Sequence, residues 1–94
     1  LASSNPTRPP VAISFVPSHP SGRAGVSVPV TLAIYDAMGR MVAIVERGEF
    51  ETGKIYRASW DGRDSAGRPV PAGVYFIGMR NPGDVAADKV LVIP

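Results

Sequence analysis

The sequence predicts an all-β chain, an antiparallel two-sheet sandwich of six to seven strands. Three observations carry that expectation. Ten glycines and ten prolines punctuate the 94 residues, so that only short segments lie between turn-formers. Those segments alternate apolar and polar residues with the period of two that marks a half-buried strand. No window sustains the i, i+3, i+4 apolar stripe that a helix needs.

Leu1–Pro10 is rich in serine and proline and reads as a linker or lead-in segment ahead of a domain spanning residues 11–94. The first strand is Val11–Val16, with Val11, Ile13 and Phe15 on one face. A Ser/Pro/Gly/Arg stretch, Pro17–Gly25, makes a long loop. Ser27–Tyr35 is the second strand, with Val28, Val30, Leu32 and Ile34 aligned. Asp36-Ala37-Met38-Gly39 is a turn in which glycine supplies a positive φ. Met41–Glu46 is the third strand, and its period leaves the buried face open. Arg47–Lys54 is a polar connection. Ile55–Trp60 is the fourth strand, with Tyr56, Ala58 and Trp60 on one face. After the crossover Asp61–Gly73 come Val74–Arg80 and Ala86–Ile93, joined by the turn Asn81-Pro82-Gly83-Asp84. A seventh strand could form around Gly22–Ser27 or Glu49–Thr52.

Size and composition narrow the function classes. One domain fits the length, and there is no room for a second core. Cysteine is absent, which removes disulfide staples and thiolate zinc sites. The net charge is +2, and eight of the ten basic residues are arginines scattered from Arg8 to Arg80 among acids. Nucleic-acid binders cluster such charge and interleave it with aromatics; no cluster exists, so no nucleic-acid partner is expected. No apolar run approaches the roughly 18–20 residues that span a bilayer, so no membrane insertion is expected. Leu1–Pro10 lacks the apolar core of a signal peptide; an export signal is expected upstream.

The densest motif runs from Trp60 to Tyr75. Trp60 is a large apolar anchor at a strand end. Asp61 and Asp64 can accept backbone N–H bonds in Asx turns, and Gly62, Gly67 and Gly73 permit positive φ. Pro69 and Pro71 stiffen the return. Tyr75 stands near a strand start, where sandwich domains place a tyrosine whose hydroxyl bonds the loop backbone.

This pattern resembles the Ig-like domain named for the flagellar hook-capping protein FlgD. It is equally similar to C-terminal sorting-type domains of bacterial proteins exported by type IX secretion. Asn5-Pro6 with Ile13-Ser14-Phe15 is similar to the family's opening segment. Val30–Asp36 with Gly39–Val42 is similar to its central hairpin, Trp60–Tyr75 to its hallmark, and Asp88–Ile93 to its closing strand. Thr7 departs from the aromatic that often follows the Asn-Pro pair, and the Pro17–Ser27 loop is long for the family. The resemblance implies an immunoglobulin- or fibronectin-III-like sandwich. It also implies a non-catalytic C-terminal accessory module of a secreted or cell-surface protein, serving in sorting, attachment or spacing. The implied partners are the upstream domain of the same polypeptide and secretion or cell-surface components.

Several chemistries find only partial matches among these residues. Gly48–Lys54 matches most of a phosphate-binding loop, but Ile55 replaces the magnesium-binding Ser or Thr and a strand follows where a helix is needed. Asp61, Asp64 and Ser65 lack the closing Glu of a calcium loop, and turn capping is the simpler account. His19 is isolated in a Pro/Ser loop, which makes neither a zinc site nor a triad. No Gly-x-Ser-x-Gly elbow or placed acid pair occurs. The expectation is therefore no enzyme, no cofactor and no metal. Two alternatives remain. One is a carbohydrate-binding module with a glycan partner, using Phe76, Tyr35 or Phe50 as exposed aromatics. The other is the Ig-like part of a hook-capping protein. Outer strands Val11–Val16 and Ala86–Ile93 are the candidate interaction edges, with Pro9, Pro10 and Lys89 limiting unwanted pairing.

Overall fold

The computed structural model of the chain describes residues 6–82 and 84–93. It holds six strands: β1 Val11–Phe15, β2 Ser27–Asp36, β3 Met41–Glu51, β4 Tyr56–Trp60, β5 Gly73–Asn81 and β6 Asp84–Val92. β1 and β4 pair antiparallel as a two-stranded sheet. The other four form an antiparallel sheet in the order β3-β2-β5-β6. Hairpins join β2 to β3 and β5 to β6, so the chain changes sheet at 16–26, 52–55 and 61–72.

Alternation decides which face of each strand is buried. Val11, Ile13 and Phe15 of β1 and Trp60 of β4 face Val28, Val30, Leu32 and Ile34 of β2, Tyr75, Ile77 and Met79 of β5, and Val90 and Val92 of β6. These side chains form one shared cluster between the sheets. Fully burying a valine, leucine, isoleucine or phenylalanine contributes roughly 1.5–3 kcal/mol. A two-stranded sheet is marginal alone, so β1 and β4 depend on that cluster.

The structure corrects the sequence reading of the third strand. It does not stop at Glu46 but continues to Glu51, because Arg47–Glu51 pair with Thr31–Ser27 of the long β2. The pairing also explains why no buried face was legible. The register steps from Leu32↔Glu46 to Ala33↔Ile44, and from Ile34↔Ala43 to Tyr35↔Met41. Val45 and Val42 are thus bulged residues, and two bulges this close destroy a period of two. Neither region suggested for a seventh strand forms a separate one; Glu49–Glu51 belongs to β3 and 22–26 is loop. Val16 and Ile55 fall just outside β1 and β4, at 45% and 62% exposure.

The phosphate-loop look-alike is split by the same correction: its first half lies in β3 and its second half is a turn with Gly53 at φ 79°. Thr52, between them, is 3% exposed. Its hydroxyl donates to the Arg23 carbonyl at 2.6 Å and accepts from the Val26 N–H at 3.0 Å. Thr52 therefore pins the long loop to the end of β3. Within the lead-in segment, Thr7 forms a parallel bridge with Val92. Its N–H donates to Leu91 O and its carbonyl accepts from Ile93 N, both at 2.9 Å.

Candidate functional site

The crossover from β4 to β5 is built from bonds that its own sequence supplies. Trp60 ends β4 with its indole 3% exposed. The ring N–H donates to the Arg63 carbonyl at 3.0 Å, and the ring packs edge-on to Tyr75 with centroids 5.7 Å apart. Asp61 Oδ1 accepts from the Arg63 N–H at 3.0 Å, an Asx turn. Gly62 takes φ 77° beneath the Pro9 ring, which occupies the space a Cβ would need. From there Arg63 bridges Pro69 and the Val70 N–H donates to Gly62 O at 2.9 Å.

Asp64 organises the tip. Its Oδ1 accepts from the N–H groups of Ala66 and Arg68 at 2.9 and 3.0 Å, and its Oδ2 pairs with Arg68 Nε at 3.4 Å. Gly67, at φ 82°, donates to Asp64 O at 2.9 Å. Those backbone donors, Arg68 first, hold the Asp64 carboxyl below its ordinary pKa. Ser65 reaches across to β3, where both its N–H and its hydroxyl donate to Val42 O at 3.0 Å. The bulged residue of β3 thereby finds its acceptor a partner. On the return, the Tyr75 hydroxyl donates to Pro71 O at 2.6 Å, and Gly73 opens β5 nearly extended at φ 157°. Burial, and secondarily the Asp36 charge, raises the Tyr75 pKa.

All eight residues singled out in the motif (Trp60, Asp61, Gly62, Asp64, Gly67, Pro71, Gly73 and Tyr75) fall in this one crossover and its flanking strand ends. The aromatic expectation needs correction. Phe50 does not stand free on the surface; it packs on Phe15 and Tyr56 with centroids at 5.4 and 4.9 Å. Tyr35 is half-buried, with its ring edge over Gly78. Phe76 is 36% exposed. His19 is half-buried, and its Nδ1 accepts from the Ser21 N–H at 3.1 Å. Among the described residues no three His, Asp or Glu side chains converge as a metal-binding group.

Sequence reasoning missed a repeat. Asp36-Ala37-Met38-Gly39-Arg40 is built like Asp64-Ser65-Ala66-Gly67-Arg68, bond for bond. Asp36 Oδ1 accepts from Met38 and Arg40 N–H, both at 2.9 Å. Its Oδ2 pairs with Arg40 Nε at 3.1 Å, and Gly39 takes φ 83°. The Asp36 carboxyl is likewise held low, chiefly by the Arg40 N–H. Both turns line one concavity of about 610 Å³ beside Pro71 and Tyr75. The shared Asp-x-x-Gly-Arg spacing was the available signal.

A family model, that of the FlgD Ig-like domain, matches residues 11–82, from the first residue of β1 to the turn after β5. The chain belongs to the FlgD Ig-like domain family. No curated protein matches it. Among solved structures, it is similar to dimeric latent PorU from Porphyromonas gingivalis, at 23% identity and a TM-score of 0.69. A second similar structure is PorZ, an essential surface component of the type IX secretion system of the same organism, at 23% identity and a TM-score of 0.57. Each match covers 96% of this chain, but only 9% of PorU and 11% of PorZ. The likeness is therefore one of fold, between this chain and one small part of each larger protein.

Proposed function

We propose that the chain is a non-catalytic accessory module of a secreted or cell-surface bacterial protein, and that it sorts, attaches or spaces the polypeptide carrying it. The observation that carries this reading is the fold shared with small parts of PorU and PorZ, together with the family match. The crossover supports it. The Asp61 and Asp64 carboxylates, among its most reactive-looking groups, are engaged in turn bonds, and the Ser65 hydroxyl in a bond to Val42 O of β3. Such a module acts through edges and loops. β1 and β6 are outer strands, as are β3 and β4, and the upstream part of the same polypeptide is its first partner.

The test is a fusion of residues 1–94 to the C-terminus of an exported reporter, in a bacterium with a type IX secretion system. The expected result is a reporter that becomes accessible to external protease, with accessibility reduced when Trp60→Ala weakens the domain. A reporter held in the periplasm equally with and without the domain overturns the sorting role.

A further inference from the structure

The outer face of the four-stranded sheet carries a feature that neither the family match nor the crossover explains. Of the nine large apolar side chains exposed among the described residues, six lie on this face: Met41, Ile44, Val74, Phe76, Val85 and Leu91. Exposed apolar groups gathered on one face, as opposed to scattered singly, mark interaction surfaces. Register shows how the surface is shaped. Ile44, Ala33, Gly78 and Ala87 stand side by side across all four strands. Gly78 and Ala87 of that row floor a groove of about 420 Å³, while Ala33 beside them is buried. One wall is Met41, Tyr35 and Phe76, with Lys89 next in the same row; the other is Arg47, Thr31, Arg80 and Val85. Phe76 and Arg80 are four residues apart on β5, which sets the walls about 13 Å apart at the backbone.

Charge says what kind of occupant fits. Arg47 and Arg80 are exposed on the groove wall and Lys89 is exposed beside Phe76 at its edge, and none has an ion-pair partner among the described residues. The arginines of the turns, Arg40 and Arg68, are by contrast held by aspartates. Glu49 sits on the same face beyond Arg47 and takes a hydrogen bond from Ser27 at 3.3 Å. An apolar floor ringed by unpaired cations suits an apolar group surrounded by carboxylates.

We infer that this groove is a protein-docking surface for a segment bearing apolar side chains flanked by Asp and Glu. A glycan fits less well. Sugar platforms need broad exposed ring faces, whereas most of this surface is aliphatic or methionine, and Tyr35 is half-buried with its ring edge over Gly78. Methionine, arginine and aromatics together are the composition of protein interfaces. The inference does not depend on the proposed role in export.

The test is selection of a random dodecapeptide library on the 94-residue chain. The selected peptides are then titrated into ¹⁵N-labelled protein. The expected peptides are acidic around an apolar core, and they shift the amides of Ala33, Gly78, Arg80 and Ala87. Arg80→Glu and, separately, Lys89→Glu are expected to weaken binding about tenfold, as does raised salt, with each variant's melting unchanged. No enrichment, neutral or basic winners, or shifts confined to other faces overturns the inference. So does an oligogalacturonate that produces the same shifts where acidic peptides do not, since it makes the occupant a glycan.

Discussion

Trp60 is where the crossover and the core meet, because its ring fills space between the sheets while its N–H fixes the Arg63 carbonyl. Trp60→Ala is expected to cost about 3–5 kcal/mol, the range for emptying a large buried site. A urea titration measures it, and a loss under about 1 kcal/mol would mean the ring does not fill the core. Thr52 carries a different debt: its side chain is small, but both its hydrogen bonds hold backbone groups of the long loop. Thr52→Val is expected to cost about 1–3 kcal/mol by orphaning those groups, and Thr52→Ser much less. Equal costs for the two variants would show that packing, not the hydroxyl, matters. Tyr75 adds a pH signature. Burial first, then the Asp36 charge, raises its pKa, so folding favours the neutral phenol. That contribution is complete below the unfolded value, near pH 10, and is lost as pH rises through the folded pKa. Melting midpoints above pH 10 should therefore fall more steeply for the wild type than for Tyr75→Phe.

The elements differ in how plainly the sequence announced them. β1, β2 and β5 were legible because their core residues recur at every second position, a pattern that the small, buried Ala33 of β2 does not hide. β3 was not, because its bulges at Val42 and Val45 break the period and its second half reads as polar loop. Only pairing with the first half of β2 makes Arg47–Glu51 a strand, and pairing is a long-range fact. The crossover's local chemistry was readable from Asp and Gly positions, since Asx turns close within five residues. Its docking onto Val42 through Ser65 was not readable. Likewise, the groove of the outer face exists only through a register linking four strands. The paired turns support a prediction of their own. At Gly39 and Gly67 a Cβ meets nothing within 4 Å, so alanine there pays only the left-handed backbone penalty, about 1–2 kcal/mol. Gly39→Ala and Gly67→Ala are expected to destabilise equally, and Gly62→Ala more, because Pro9 blocks its Cβ. Unequal losses at the first two would show that the two turns are not energetically equivalent.

At the scale of the whole molecule, one cluster serves both sheets, and the smaller sheet has no second source of stability. The chain has no cysteine to tie β1 and β4 down independently. Its single tryptophan is the last residue of β4, so Trp60 fluorescence reports the two-stranded sheet. Far-ultraviolet circular dichroism mostly reports the four-stranded sheet, which holds 39 of the 49 strand residues. If β1 and β4 survive only through contacts with β2, β3, β5 and β6, neither sheet can melt first. The two signals should then give superimposable urea transitions with one midpoint, the behaviour of a cooperative domain of this size. A fluorescence midpoint well below the dichroism midpoint would mean that the small sheet detaches from a four-stranded sheet that stands alone. Trp60→Phe cannot report this way, so the complementary check is hydrogen exchange. Amides of Ile13 and Ala58 should then exchange at the same global free energy as those of Leu32 and Ile77.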